Sequence, residues 1–310
     1  MSKKVFVTGA SGYIGGTVAV KLANAGYQVS GLTRSQSSGE KLKSIGIEPV
    51  IGDLSDLKLL TECARAADIV IDAANSDAEE AVKALVEALM GSDKVFIHTS
   101  GSSIVADQAN GERGDRIYDE STQYTPDPGK QARVNIDKYI TNSAQDGIRS
   151  VVICPCLIYG KGSGVKTESQ QVPNLINAAL ESGVAKCIGR GENIWSTVHV
   201  DDLADLYLLV VEKAPTGGLF LFAENGETTF KQIVEKIKDG LGLKTPVGSW
   251  TIEEASQKFG AGTAIFGLGS NSRIRGIKSR ELGWKPVKNE VLDDVQRCCM
   301  SLTAGSIAQV

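Results

Sequence analysis

Histidine is scarce in this sequence, and so are the side-chain clusters that hold metal ions. Two histidines and six cysteines occur among 310 residues, and they form no cluster with the spacing of a zinc site. Long apolar runs are also missing, because no segment reaches the ~18 apolar residues that a membrane span needs. We therefore expect neither a metal centre nor a membrane-spanning segment.

Positive charge is not concentrated anywhere in the chain. The formal net charge is −4, and lysine and arginine form no long run. Nucleic acids and anionic membrane surfaces are bound through clustered positive charge, so we expect neither as a partner. Residues 1–4 are polar, and the apolar run after them is too short for a signal peptide. The sequence therefore predicts a cytoplasmic protein with reduced cysteines and a small-molecule substrate.

Three glycines spaced three residues apart follow a short apolar run near the N-terminus. Val5–Val7 predicts a strand, Gly9, Gly12 and Gly15 predict a tight turn, and the apolar periodicity of residues 18–25 predicts a helix. Such a turn leaves backbone N–H groups free at the start of the helix, where the partial positive charge favours a phosphate. The pattern predicts a nucleotide-binding turn, with an ordinary strand–turn–helix junction as the alternative.

Strands and helices alternate through the first half of the chain. Further short apolar runs follow the first one, at 27–32, 49–52, 68–72, 94–98 and 151–153. This alternation predicts an α/β fold, a doubly wound parallel Rossmann sheet whose ligand lies at the carboxyl ends of the strands. We assign residues 1–160 and a returning segment near 195–215 to this domain. Residues 161–310 are assigned mainly to a smaller C-terminal substrate lobe and a tail.

The motif TGASGYIG resembles the glycine signature of the extended and atypical short-chain dehydrogenase/reductases, which include the NAD-dependent epimerase/dehydratase-like proteins. The resemblance covers about residues 4–295. Further segments are similar to that family as well, namely CPCLIYG at 154–160, VHVDDLA at 198–204 and LGWKP at 282–286. The resemblance implies an oxidoreductase that binds a nicotinamide dinucleotide across the strand ends.

The residues after the second strand favour NADP(H) over NAD(H). Thr33 and Arg34 stand where an NAD-specific protein usually offers an acid, and a guanidinium suits a 2′-phosphate. An exposed surface arginine is the alternative interpretation. The resemblance implies that Asp53, with Leu54 beside it, hydrogen-bonds the adenine. The other implied cofactor residues lie in the glycine turn and at strand ends: Gly9, Ser11, Gly12, Tyr13, Ile14, Gly15, Ala73, Ala74, Asn75, Ser100, Arg133, Pro155 and Ile158.

The residue pair that performs acid catalysis in the family is missing. The family uses Tyr-x-x-x-Lys on one helix, and none of the seven tyrosines here is followed by a lysine at that spacing. Alignment on the helix before the sixth strand puts Gly129 at the tyrosine position and Arg133 at the lysine position. Because arginine keeps its proton, we expect Arg133 to contact the ribose and offset charge rather than to donate a proton. The family's serine after the fifth strand falls on Gly101, beside Ser102.

Several groups are candidates for the missing proton donor. Tyr159 lies in the turn that packs against the nicotinamide in the family, and histidine, the residue type of His199, titrates near neutral pH. The alternative to catalysis is a packing role for Tyr159 and a buried structural role for His199. Water held by Ser102 is another candidate, as are the side chains Tyr118, Tyr124 and Lys130. An exposed lysine in the first turn of a helix is the alternative interpretation of Lys130. We expect Ser102 to line the substrate pocket, and Trp195, Tyr159 and the polar loop 106–129 to close it.

Two functions of different classes follow from these features. The first is an NADP(H)-dependent oxidoreductase that reduces a small carbonyl compound or imine with a non-standard proton donor. The second is a non-catalytic protein that senses NADP(H). An epimerase or dehydratase of sugar nucleotides is disfavoured because the tyrosine base is absent. A homodimer through helices near 78–90 and 130–145 is possible, although the apolar face of the first helix would equally suit burial on the sheet.

Overall fold

The computed structural model describes residues 2–307. In this part of the chain the strands are β1 Lys4–Thr8, β2 Gln28–Thr33, β3 Glu48–Ile51, β4 Ile69–Asp72, β5 Val95–Thr99, β6 Arg149–Pro155, β7 Leu157–Tyr159, β8 Lys186–Ile188, β9 Ile194–His199, β10 Leu219–Ala223, β11 Glu227–Thr229 and β12 Gly248–Trp250. The helices are α1 Tyr13–Asn24, α2 Gln36–Ser44, α3 Leu57–Ala66, α4 Glu79–Leu89, α5 Gln131–Asn142, α6 Gln171–Ser182, α7 Val200–Lys213, α8 Phe230–Gly240, α9 Ile252–Phe259, α10 Ala261–Thr263, α11 Ile277–Glu281 and α12 Val291–Ile307.

Seven of these strands form one parallel sheet in the order β10-β6-β5-β4-β1-β2-β3. Strand order reverses beside β1, and in open α/β sheets ligands bind in the crevice at such a reversal. The predicted doubly wound Rossmann sheet is therefore confirmed, and its crevice opens where the glycine turn follows β1. The returning chain also contributes β10, so the sheet extends beyond the predicted segment 195–215.

Both faces of the main sheet are buried, which explains why its strands are continuous apolar runs. Val5 and Val7 of β1 belong to one apolar cluster, together with Leu22 of α1. Phe6, between them, points to the opposite cluster, together with Leu85 of α4. Because successive side chains of a strand alternate in direction, one short run supplies both cores.

The C-terminal half adds a smaller lobe with its own apolar core. Its strands form a three-stranded sheet, β11-β9-β7, and a two-stranded sheet, β12-β8. Helices α6 and α8 supply buried residues to this core, among them Ile176 and Ile233. The lobe faces the carboxyl ends of the main strands, because β7 begins two residues after β6 ends.

The polar loop 106–129 ties the main domain to this lobe. Asn271 is 5% exposed, and its backbone N–H and side-chain amide donate to the two carboxylate oxygens of Asp107 at 2.7 and 2.9 Å. The Asn271 Oδ1 atom accepts from the N–H groups of Gly114 and Ile194 at 3.0 and 2.7 Å. The loop is thus fixed by buried hydrogen bonds across the two halves of the chain.

We expect Asn271→Ala to destabilise the protein, because it leaves the N–H groups of Gly114 and Ile194 without an acceptor. An unsatisfied buried polar group costs about 1–3 kcal/mol. Urea unfolding should show a loss of that size in the free energy of unfolding. Asn24→Ala, at an exposed position near the end of α1, is the matched control. Equal stability of the two variants would contradict this role for Asn271.

The helix α4 packs on the sheet through the same apolar face that would suit a dimer. Ala81 and Leu85 are 4% and 0% exposed, and both belong to the apolar cluster that includes Phe96 of β5. This face is therefore occupied within one chain. Between residues 2 and 307, no helix is long and apolar enough to cross a membrane.

Candidate active site

The glycine turn between β1 and α1 has the geometry of an anion cradle. Gly9 has φ +71°, and a Cβ atom there would lie 2.5 Å from the carbonyl oxygen of Ala73. A Cβ atom on Gly15 would lie 2.5 Å from the carbonyl oxygen of Gly9. Helix α1 begins after Gly12, and no side chain caps this end. The first backbone N–H groups of the helix therefore have no side-chain acceptor. This arrangement fits a phosphate or diphosphate at the start of α1.

A cavity of about 520 Å³ extends from this turn across the ends of β2, β3 and β4. Its lining includes many of the residues predicted for cofactor binding: Gly9, Ser11, Gly12, Thr33, Arg34, Asp53, Leu54, Ala73, Ala74 and Asn75. Within the described chain, Asp53 is the one acid and Arg34 the one cation that line it. The Asp53 Oδ1 atom accepts hydrogen bonds from the Ser55 hydroxyl and N–H, which lower the pKa of this carboxyl.

A second cavity, of about 580 Å³, continues from the first towards the smaller lobe and shares Gly12, Ala73 and Ala74 with it. Other predicted site residues line this second cavity, namely Tyr13, Ile14, Ser102, Arg133, Pro155, Ile158 and Trp195. Gly15 packs beneath the turn, and the Ser100 hydroxyl donates to the Asp137 Oδ2 atom at 2.7 Å. We call this second space the substrate cavity.

Arg133 is held at the side of the substrate cavity by an ion pair with Asp77. The Nε and Nη2 atoms of Arg133 donate to the two Asp77 carboxylate oxygens at 2.8 and 2.5 Å, and Nη1 donates to Ser103 Oγ at 3.2 Å. The pair lowers the pKa of the Asp77 carboxyl. Gly101 leaves room for this guanidinium, since a Cβ there would lie 3.3 Å from Nη1.

Lys130 lies one turn before Arg133 and lines the same cavity. Its Nζ atom is 4.6 Å from the centroid of the Phe266 ring, and the side chain is half-buried. Burial disfavours the charged ammonium group and the Arg133 guanidinium repels it, so the pKa of Lys130 is lowered. A lysine with a lowered pKa is a better proton donor near neutral pH than an ordinary one.

Sequence reasoning missed most of the lobe residues that enclose this cavity. They come from the loop before α6, from α6 itself and from the segment after α9: Lys166, Ser169, Gln170, Gln171, Asn174, Gly262, Thr263, Phe266 and Gly267. The expectation that loop 106–129 closes the substrate cavity is wrong. That loop is fixed to Asn271, and its residues do not line the cavity. The Phe266 side chain lines the cavity instead.

Tyr159 and His199 lie away from the substrate cavity, which corrects the expectation that they close it or donate a proton there. Both line a separate cavity of about 560 Å³ together with Lys161, Asp201 and Asp294. Side chains alternate along β7, so Ile158 faces the substrate cavity and Tyr159 faces the other side. His199 follows Tyr159 because the two are paired in register between β7 and β9.

The Tyr159 and His199 side chains are both held by hydrogen bonds to the backbone, as is typical of structural residues. The Tyr159 hydroxyl donates to the Lys288 carbonyl oxygen at 2.9 Å, and burial raises its pKa. The His199 Nδ1 atom accepts from the Asp201 N–H at 3.1 Å, which caps α7, and burial lowers the His199 pKa. The two rings meet edge to face, with centroids 5.2 Å apart.

Trp195 and Ser102 are fixed by contacts with the segment around Ser272. The Trp195 Nε1–H donates to the Ser270 carbonyl oxygen at 2.9 Å. Ser102 is 1% exposed, and the Ser272 Oγ atom lies 2.8 Å from both the carbonyl oxygen and the hydroxyl oxygen of Ser102. The Ser102 side chain is therefore held in place at the edge of the substrate cavity.

A buried polar network lies behind the cavity, at the ends of β4 and β5. The His98 Nδ1 atom lies 2.8 Å from Asp72 Oδ2, and Nε2 lies 3.9 Å from Asp137 Oδ1. The two facing atoms, His98 Nε2 and Asp137 Oδ1, make no hydrogen bond. Burial raises the pKa of Asp137 to about 6.

The raised pKa makes a pH-dependent contribution to stability. A carboxyl that binds its proton more tightly when folded stabilises the fold below its unfolded pKa, and this contribution is lost as pH rises through about 6. A pKa that differs by one between the folded and unfolded chains corresponds to about 1.4 kcal/mol. We therefore expect Asp137→Asn to gain about 2 kcal/mol relative to the native chain between pH 4 and pH 7.

Urea unfolding at several pH values measures this difference. Asp146→Asn removes an exposed carboxyl shortly after α5, the helix that contains Asp137, and is the matched control. If the Asp137→Asn and native curves run parallel from pH 4 to pH 7, the raised pKa of Asp137 is contradicted.

Known proteins share both the sequence pattern and the fold of this chain. A sequence model of the NAD-dependent epimerase/dehydratase family matches residues 5–221. The chain is 32% identical over 305 residues to an uncharacterised protein of Schizosaccharomyces pombe, covering 94% of this chain and 98% of that protein. It is 24% identical over 268 residues to the 4-hydroxy-2-methyl-3-oxo-4-farnesyl-3,4-dihydroquinoline-1-oxide ketoreductase of Stigmatella aurantiaca, covering 81% and 77%.

Among solved structures, the dTDP-glucose 4,6-dehydratase of Bacillus anthracis in complex with NAD has the same fold. Its TM-score is 0.75 at 19% sequence identity, with 98% of this chain and 97% of that chain covered. At this identity the similarity concerns the architecture of the two chains, a Rossmann sheet with a smaller C-terminal lobe.

Proposed function

Because this chain belongs to the NAD-dependent epimerase/dehydratase family, we propose that it is an NADPH-dependent reductase of a small carbonyl compound or imine. One observation carries the proposal: the glycine turn and the half-buried Lys130 line two adjoining cavities that share Gly12, Ala73 and Ala74. The Stigmatella relative is a ketoreductase, which favours the reductive direction.

The glycine turn fits the diphosphate of a dinucleotide. A Cβ atom on Gly9 or Gly15 would clash with a backbone carbonyl oxygen, so the tight turn requires glycine at both positions, and the first N–H groups of α1 lack a side-chain cap. In this assignment the diphosphate binds at Gly12, the adenine lies beside Asp53, and the nicotinamide end reaches the substrate cavity near Ile158.

Arg34 is the residue that favours NADPH over NADH. It is exposed at the end of β2 and lines the adenine side of the first cavity. The dinucleotide-binding folds that prefer NAD place an acid here, and Asp53, the acid of this cavity, follows β3 instead. A planar guanidinium binds a phosphate through two parallel hydrogen bonds, so Arg34 is assigned to the 2′-phosphate.

Lys130 is assigned as the proton donor. When bound, NADPH supplies a hydride to the carbonyl carbon. The negative charge that develops on the carbonyl oxygen is neutralised when the Lys130 ammonium group transfers a proton to it. Lys130 is then a neutral amine, which regains a proton from solvent. Its lowered pKa brings the donor closer to the working pH.

Two neighbours support this step. The Ser102 hydroxyl, held beside Ser272 at the edge of the cavity, is assigned to orient the substrate oxygen. The Arg133 guanidinium, fixed by Asp77, keeps positive charge next to Lys130 and so contributes to its lowered pKa. Arg133 is a positioning residue in this scheme, because an arginine does not release its own proton.

Oxidation of NADPH by the purified protein tests the proposal. A panel of aldehydes, ketones and cyclic imines is incubated with NADPH or NADH, and cofactor binding is followed in parallel by fluorescence. We expect turnover with NADPH on at least one compound class and a preference for NADPH over NADH. Tight NADPH binding without turnover on any compound would contradict the proposal and favour a protein that senses NADP(H).

A further inference from the structure

The substrate cavity is rich in positive charge. Three of its lining side chains are cationic, and in the described part of the chain no aspartate or glutamate lines it. The cations are Lys130, Arg133 and Lys166. The other polar groups of the lobe side include the side-chain amides of Gln170, Gln171 and Asn174. A cavity lined by charge of one sign favours a ligand of the opposite sign.

Two of the three cations are already engaged by protein groups. Arg133 is paired with Asp77 through two hydrogen bonds, and Lys130 lies over the Phe266 ring. Lys166 makes no ion pair with any residue between 2 and 307. Its charge is therefore the one most available to a ligand.

The loop that carries Lys166 is fixed against the start of α1. The Gly162 N–H donates to the Thr167 carbonyl oxygen at 2.7 Å, and the Ser163 N–H donates to Thr17 Oγ1 at 3.3 Å. Gly164 packs directly on Gly16, since a Cβ atom on Gly164 would lie 2.6 Å from the Gly16 Cα. These contacts keep the base of the Lys166 side chain at the rim of the substrate cavity.

We propose that the substrate carries an anionic oxygen group, a carboxylate or a phosphate, which Lys166 binds together with the amides at the start of α6. The inference rests on the proposed reductase function and adds the substrate class to it. The carbonyl end of such a substrate meets Lys130 and Ser102, and its apolar body meets Trp195 and Phe266.

This assignment separates two kinds of anion along the connected cavities. The cofactor's diphosphate has its own partners in the turn at Gly12, which belongs to the main domain. Lys166 belongs to the lobe, beside Gln170 and Asn174. Hydrogen bonds in which one partner is ionised are about twice as strong as neutral ones, so an acid and its ester of the same shape should bind differently.

The binding test uses three small probes that cannot be reduced. Isothermal titration calorimetry of the NADP⁺-saturated full chain is performed with 4-methylbenzoate, 4-methylphenyl phosphate and methyl 4-methylbenzoate. We expect one of the two anions to bind at least tenfold more tightly than the ester, and the tighter one identifies the natural anionic group. Lys166→Met should abolish this preference.

Lys161→Met is the matched control, since Lys161 lies on the same loop but lines the cavity of Tyr159 and His199. It should retain the preference for the anion. The inference is overturned if the ester binds as tightly as both anions. It is equally overturned if Lys166→Met keeps the preference and weakens NADPH binding instead, because Lys166 would then serve the cofactor.

A turnover experiment separates this inference from the proposed function. The kcat/KM values for 4-formylbenzoate and for its methyl ester are compared, and we expect the acid to be preferred at least tenfold. Equal reduction of both aldehydes contradicts the anionic substrate but leaves the reductase standing. Binding of the anionic probes without reduction of either aldehyde contradicts the reductase and leaves the anion site standing.

Discussion

Lys130→Met should lower kcat/KM for carbonyl reduction by about 100-fold or more, while the affinity for NADPH changes little. Removal of a general acid typically costs 10²–10⁴-fold. The half-buried ammonium group lines the substrate cavity beside Arg133, and its pKa is lowered there. In the native protein, kcat/KM should fall as pH rises through the Lys130 pKa, since only the ammonium form donates. This limb of the pH profile should disappear in the variant.

Three comparisons separate proton donation from packing. Lys138→Met, at an exposed position of α5, the helix that follows Lys130, should behave as the native protein. Lys130→Arg keeps the charge but holds its proton too tightly to transfer it, so it should be nearly as slow as Lys130→Met. Small primary amines added to Lys130→Ala should restore part of the rate. Full activity of Lys130→Arg, or an unaltered pH profile in Lys130→Met, would exclude Lys130 as the donor.

Arg34→Ala should weaken NADPH binding by about 10–100-fold and leave NADH binding almost unchanged. Hydrogen bonds to charged groups contribute about 1.5–3 kcal/mol, and the 2′-phosphate is the only group in which the two cofactors differ. The remainder of the cavity, from Gly9 to Asp53, would contact both cofactors alike. Fluorescence titration with each cofactor gives the two dissociation constants directly.

The control for Arg34 is Lys41→Ala, an exposed cation on the following helix that does not line the cavity. It tests whether a general loss of positive charge explains the effect. An equal loss of affinity for NADPH and NADH in Arg34→Ala would mean that Arg34 contacts a group common to both cofactors. No change for either cofactor would leave Arg34 as a surface residue.

The fold and the nucleotide end of the site could be predicted because their signals are local. The strand, the glycine turn and the helix from Val5 to Asn24 form one continuous stretch, and the spacing of Gly9, Gly12 and Gly15 has a steric cause. The ends of parallel strands meet at one edge of a sheet, so Arg34 and Asp53 could be placed in one cavity from strand boundaries alone.

The substrate end could not be predicted in the same way. Phe266 meets Lys130 across more than a hundred residues of sequence, and no periodicity links the two. The segment around Phe266 is a short π-helix after α10, a geometry that sequence patterns do not indicate. The lobe residues Lys166 and Asn174 likewise reach the cavity through long-range packing, since the loop that carries Lys166 lies against the start of α1.

The misplacement of Tyr159 could be avoided from the sequence itself. The family resemblance implies that Pro155 and Ile158 lie beside the cofactor, and both line the substrate cavity. Since neighbouring side chains in an extended strand point in opposite directions, a cavity-facing Ile158 already implies that Tyr159 faces away. The position of Lys130, three residues before Arg133, similarly predicts that both share one side of the helix start.

Transfer of deuterium from NADPH labelled at the reactive C4 position shows whether this protein reduces an oxo compound. The protein is incubated with the labelled cofactor and an oxo compound, and the alcohol or amine product is examined by mass spectrometry. We expect a product that carries one deuterium, formed much more slowly by Lys130→Met and at the native rate by Lys138→Met. A protein that binds NADPH tightly and yields no deuterated product from any aldehyde, ketone or imine would contradict it.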